Sequence, residues 1–141
     1  MRFMVFVKLT NPTDYEAGQM PSLDEVATMM AFNEEIAKAG VLKSADGLYP
    51  TAHGAVVRFG EGTSTVTTGP FTETTELVGG YWIWEVASRE EAVAWAQKCP
   101  MAPGDVLELR RIFDMEDFQV PEGSELQAQV ERVAALEAQN R

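Results

Sequence analysis

One cysteine and one histidine are all that this 141-residue chain has of the side chains that most often hold zinc. Cys99 alone cannot build an intramolecular disulfide framework, and its solitude agrees with a reducing cytoplasm. With His53 the only histidine and no spaced ligand cluster, neither a metal nor a cofactor is expected. Cations are also scarce: 11 Lys and Arg stand against 22 Asp and Glu, a net charge of −11. Such a surface repels polyanions, so no nucleic-acid partner is expected, and the acidity reads as a solubility device. Long apolar runs are missing too. No window approaches the roughly 18 apolar residues needed to span a bilayer, so no membrane partner is expected. The amino-terminal run Phe3–Val7 is too short for a signal peptide and is stopped by Lys8, so a first strand and a cytoplasmic protein fit better. Gly69-Pro70 and Gly79-Gly80 lack a following Lys-Ser/Thr and a helix start, which excludes a phosphate loop.

What remains is one soluble domain with 45% hydrophobic residues and no internal repeat. Phe3, Val5, Val7 and Leu9 alternate with Met4 and Phe6, so the first strand is apolar on both faces. The domain's own helices can cover one face only, which points to a homodimer. Ser22-Leu23-Asp24-Glu25 is a capping box, and the helix that it opens carries Leu23, Val26, Ala27, Met30 and Ile36 before Gly40. Ser88-Arg89-Glu90-Glu91 opens a second helix with Ala92, Trp95, Ala96 and Cys99 on one stripe before Pro100. Between them the period is two: strands are expected at 41–44, 55–59 and 64–68, with turns at Asp46-Gly47 and Gly60-Glu61-Gly62. Further strands fit 81–86 and 106–113. This order is that of an α+β, ferredoxin-like sandwich with an elaborated middle. Residues 1–113 form the domain. Residues 114–141 form an acidic linker and a carboxy-terminal helix, opened by Ser124-Glu125-Leu126-Gln127, whose Leu126, Val130 and Val133 should dock on the domain or a partner.

The stretch from Thr67 to Ile83 carries more. Gly69, Pro70, Phe71, Glu73, Thr74, Glu76, Gly79, Gly80 and Tyr81 resemble the signature of the YCII-related superfamily, in its DGPF-domain branch. Thr68 stands where that branch has its Asp, and Thr75 where Lys is usual. The resemblance implies a dimeric α+β barrel over residues 1–113, in which two sheets face each other across a two-fold axis. It also implies that Gly47-Leu48-Tyr49-Pro50 is the family's Gly-Leu-x-Pro turn.

His53 is the candidate catalytic residue, a general base or acid near neutral pH, or else an ordinary turn histidine. Relatives are proposed to use a His–Asp pair, and Thr68 in place of Asp cannot stabilise an imidazolium; Asp46 is the nearest other carboxylate in sequence. Glu108 and Arg110 share one face of the last strand opposite Leu107 and Leu109, and with Arg58 and Glu73 make the charged candidates. An Arg there can hold a ligand carboxylate or close a structural ion pair. Tyr81, Trp82, Trp84 and Trp95 suit a core, an interface or a pocket wall, and Tyr81 after Gly79-Gly80 is the best placed for a ligand. The expected site is therefore a cleft near the Gly-Pro-Phe turn, with Thr68, Phe71, Tyr81, Arg58 and Arg110 binding and His53 available for proton transfer. The expected function is binding of a small carboxylated or phenolic metabolite. The alternatives are a small lyase or isomerase using His53, and an accessory interaction module of a transcription-regulatory system, the last implied by resemblance alone.

Overall fold

The computed structural model describes residues 1–9, 12–71 and 77–141. Strand β1 (Arg2–Leu9) lies inside a four-stranded sheet, as its two apolar faces require. Strands β2 (Leu42–Gly47), β5 (Leu77–Glu85), β1 and β6 (Val106–Arg111) are adjacent in that order, and every pairing is antiparallel. Helix α2 (Leu23–Lys38) crosses between β1 and β2, and α3 (Arg89–Gln97) between β5 and β6. This is the ferredoxin-like α+β arrangement, with one addition. The two short middle strands, β3 (Ala55–Phe59) and β4 (Ser64–Thr68), leave the sheet and pair with each other as a separate hairpin. A four-residue helix, α1 (Thr13–Glu16), has no stripe long enough to be read from the sequence.

The helix-facing side of the sheet makes the core. Phe3, Val5, Trp82 and Trp84 are buried against Phe32 and Ile36 of α2 and Ala92 of α3, with Val41 and Val86 at the strand ends. Phe32 meets Trp82 edge-on, ring centroids 6.0 Å apart. Trp84, Ile36 and Val5 are the largest fully enclosed side chains, each contributing roughly 1.5–3 kcal/mol by burial. The α3 stripe is as expected: Ala92 is buried, and Trp95, Ala96 and Cys99 pack against the core.

The α2 stripe is not. Leu23 is 86% exposed and Met30 59%, while the side turned to the sheet is Met29, Phe32, Asn33 and Ile36, lining the core and its edge. Leu23, Val26, Ala27 and Met30 have helical spacing, but a neighbouring phase anchored by one Phe and one Ile packs better on the tryptophans. Ser22 caps the helix through the Glu25 N–H, as its sequence requires.

Two strand boundaries move for reasons of packing. Strand β2 runs on through Asp46-Gly47, which the sequence marks as a turn. Strand β5 starts at Leu77 and passes straight through Gly79-Gly80. A Cβ on Gly79 would sit 3.0 Å from Leu9 Cδ1, and one on Gly80 would sit 3.0 Å from the Asp46 carbonyl oxygen. The pair is glycine because neighbouring strands crowd it, and the β1–β5 register shifts beside it, between Val7 and Lys8.

The carboxy-terminal helix α4 (Glu125–Gln139) forms with Ser124 as its cap. Val130 is half-buried, but Leu126 and Val133 are about half exposed, at 51% and 50%, and Leu136 extends the same open stripe. In the single chain about half of this stripe's surface stays open. Among the described residues no helix is long and apolar enough to cross a membrane.

Candidate functional site

The Gly-Pro-Phe turn closes the base of the hairpin. Gly69 N–H donates to the Gly54 carbonyl at 3.0 Å, and the Gly69-Pro70 peptide is cis. Phe71 N–H donates to Thr51 Oγ1 at 2.9 Å, and the Thr51 hydroxyl donates to Glu16 Oε2 at 2.5 Å. Thr51 N–H reaches the other oxygen of Glu16 at 3.0 Å. Thr51 thus ties the motif to the short turn Thr51–His53 and to α1. Gly69 is obligatory here, since a Cβ would lie 1.6 Å from the Thr51 carbonyl oxygen. Glu73, Thr74, Thr75 and Glu76 of the motif lie outside the described residues.

His53, Thr68 and Phe71 are therefore neighbours at one end of the hairpin: Thr68 pairs with Ala55, two residues beyond His53. His53 is exposed, its ring 5.0 Å from that of Tyr49, and no carboxylate among the described residues pairs with it. Arg58 is also on the hairpin, opposite Thr65, and is exposed. Tyr81 and Arg110 belong to the main sheet instead. The hairpin leaves that sheet, so the six candidates divide between two elements.

The sheet face turned away from the helices holds Tyr81 and Arg110. Across the strands, Asp46, Tyr81, Phe6 and Glu108 form one row, and Ser44, Ile83, Met4 and Arg110 form the next. Tyr81 donates its hydroxyl proton to Asp46 Oδ2 at 2.8 Å. That hydrogen bond and the Asp46 charge push the Tyr81 phenol above its ordinary range. Asp46, the carboxylate considered for His53, is engaged by Tyr81. Glu108 accepts from Lys8 Nζ at 2.9 Å, and Arg110 stands further off at 3.7 Å. The Lys8 hydrogen bond and charge hold the Glu108 carboxyl below its usual range. The Glu-x-Arg pair is thus chiefly a Lys8–Glu108 pair, a cross-strand partner not singled out in the sequence reading.

A third place was missed altogether. Between α2 and the sheet lies a cleft of about 280 Å³, walled by Val7, Met29, Met30, Ala45 and Trp82 and floored by the backbone of Gly79-Gly80. It exists because Gly80 shares the helix-facing parity of Trp82 and Trp84 yet brings no side chain. Asn33 enters from the helix, and its Oδ1 accepts from Trp82 Nε1 at 2.8 Å. Asp46 and Tyr81 line the rim, and no Lys or Arg does. Of the expected ligand-binding residues, only Tyr81 borders this cleft. Correct phasing of α2 would have brought Asn33 into view, since it lies one residue after Phe32 and three before Ile36. Among the described residues, no group of three or more His, Cys, Asp or Glu could hold a metal ion.

Among solved structures, the chain is similar to 5-chloro-2-hydroxyhydroquinone dehydrochlorinase from Burkholderia phenoliruptrix, in complex with 2,5-dihydroxybenzoquinone. The two share 16% identity over 82% of this chain and 98% of that one, with a TM-score of 0.40, a fit that transfers no residue roles. No curated protein matches the sequence. The YCII-related domain matches residues 1–116, from β1 to just beyond β6, and the chain belongs to that family.

Proposed function

We propose that this protein binds a small, neutral, phenolic molecule in the cleft beneath α2. The observation that carries this reading is the cleft's chemistry: about 280 Å³ of mostly apolar wall, with no cation among its lining residues. That volume suits a single aromatic ring, since an apolar cavity of roughly 150 Å³ already takes benzene. A carboxylate would enter an apolar cleft without a positive partner, so the phenolic class is favoured over the carboxylated one. Calorimetric titration with para-ethylphenol and with benzoate tests this, alongside Ala45→Leu. Ala45 is exposed on an edge strand, so the larger side chain narrows the cleft at a cost within about 0.5 kcal/mol of stability. The phenol should bind, benzoate should bind more weakly, and Ala45→Leu should abolish both. Absence of phenol binding, or unchanged binding in Ala45→Leu, removes the cleft from consideration and moves weight to an interaction module.

Within the same reading the protein is a cytoplasmic homodimer of the DGPF-domain branch, with residues 1–113 as the barrel-forming domain and 114–141 as an appended acidic linker and helix. The open sheet face supports the dimer, because Met4, Phe6 and Ile83 are only half-buried there. A second sheet laid on this face would cover them, and sedimentation showing a monomer at micromolar concentration would refute it. Catalysis by His53 is the second reading, favoured by its place beside Thr68 and Phe71 at the hairpin base. Turnover of a bound phenol that disappears in His53→Ala would establish it.

A further inference from the structure

Asn33 is the polar side chain that α2 lends to the cleft, and its orientation is fixed by chemistry. Indole Nε1–H of Trp82 can only donate, so the amide atom 2.8 Å from it must be the oxygen. Trp82 is itself buried, with its ring held edge-on by Phe32, so this acceptor–donor pair cannot easily turn over. The nitrogen, Nδ2, is left with two N–H groups. Among the described residues its hydrogen-bond partner is Met30 Sδ at 3.9 Å, a weak thioether acceptor that also lines the cleft. Asp46 and Tyr81 do not supply the complementary wall, because alternation along β2 and β5 sends their side chains to the opposite face, where they bond each other. An empty cleft lets water serve the Asn33 N–H. A ring that fills the cleft displaces that water, and must then replace its hydrogen bond or leave the donor unpaired.

We propose that Asn33 is the specificity-determining donor of the cleft: with its oxygen held by Trp82, its Nδ2 selects neutral aromatic ligands carrying an acceptor, such as an aryl ketone or aldehyde, over rings of equal size without one. The inference rests on the ligand-binding reading above and adds what that reading leaves open, the polar group that the ligand must carry.

Acetophenone and ethylbenzene make a matched pair of probes, since they differ only in the carbonyl and neither carries a hydroxyl that could itself accept from Nδ2. The wild-type protein should bind the ketone about tenfold more tightly, the worth of one hydrogen bond against one unpaired donor. Asn33→Asp keeps an oxygen for Trp82 Nε1 but replaces the donor nitrogen, and Asn33→Leu keeps the branched side-chain skeleton and removes both polar atoms. In both variants the ratio should fall to about one or below, with ethylbenzene still bound by Asn33→Leu. If Asn33 served only to satisfy Trp82, Asn33→Asp would keep the wild-type ratio, and that result overturns the proposal. A wild-type ratio near one overturns it too, while leaving ligand binding itself in place. If the wild-type protein binds para-ethylphenol but neither probe, this inference alone falls; if it binds none of the three, the ligand-binding reading fails and this inference with it.

Discussion

Gly69 and Gly54 face each other across the hairpin base, and only one of them should tolerate a side chain. An alanine Cβ at Gly69 would lie 1.6 Å from the Thr51 carbonyl oxygen and 2.4 Å from its carbon, so backbone must move. The movement separates the groups that the turn joins: Gly69 N–H from Gly54 O at 3.0 Å, and Phe71 N–H from Thr51 Oγ1 at 2.9 Å. Two hydrogen bonds at about 1 kcal/mol each put the loss near 2 kcal/mol, before any disturbance of the Thr51–Glu16 contacts. At Gly54 the same Cβ would find the Thr51 oxygen at 3.6 Å and the Phe71 ring at 3.8 Å, ordinary contact distances. Its backbone is extended, with φ −116° and ψ −176°, which alanine adopts freely. Gly54→Ala should therefore be neutral, or stabilise by about 0.4–1 kcal/mol through the unfolded chain. Urea denaturation reads global stability, and amide hydrogen exchange at Phe71 and Thr68 reads opening of the hairpin alone. The expected result is a gap of about 2 kcal/mol or more between the two variants in one of these measurements. Equal stability and equal exchange in both would refute the view that Gly69 is glycine because Thr51 occupies its side-chain space.

The open sheet face supplies the remaining predictions. Glu108 has its folded pKa depressed by Lys8, so the pair stabilises above the unfolded pKa, and that contribution is lost as pH falls through the folded one. Lys8→Met should move the Glu108 carboxyl titration, followed by NMR, back up toward the ordinary range; an unmoved titration would assign the shift elsewhere. Phe6 sits mid-strand on the same face, between Tyr81 and Glu108, so Phe6→Glu should dissociate the proposed dimer with little loss of the monomer fold. Retention of the dimer by sedimentation would place the interface on another surface.

The parts of the fold that rest on local chemistry were legible. Ser22, Ser88 and Ser124 each cap the helix that their capping box marks. The hairpin strands Ala55–Phe59 and Ser64–Thr68 fall where the period of two places them. The helix-facing and open sides of β1 and β6 separate as the alternation demands. What could not be read is which of two amphipathic phases a helix buries. On α2, Leu23, Val26 and Met30 offered one stripe and Met29, Phe32 and Ile36 another. The choice was made by two tryptophans on a strand more than forty residues later. Likewise nothing local tells that β3 and β4 leave the sheet, because a hairpin has the same pattern whether its edge is paired or free.

The cleft beneath α2 was not legible for a related reason. Sequence reasoning looks for chemistry in what is present: the lone imidazole, the arginines, the unusual Gly-Pro-Phe turn. The structure explains that turn by the clasp between Gly69, Phe71 and Thr51, without need of a ligand. The cleft comes instead from something withheld, the side chain of Gly80 between Gly79 and Tyr81, on the face where Trp82 and Trp84 fill the core. Glycine there is demanded by the Asp46 carbonyl oxygen, 3.0 Å from where a Cβ would stand. The same close approach of β2 to β5 thus removes a side chain and opens space beneath α2, so packing necessity and the cleft arise from one contact. Only Asn33 then distinguishes the space from a packing defect. An amide was not required to fill that wall, yet Asn33 lines it with its oxygen held by a buried indole.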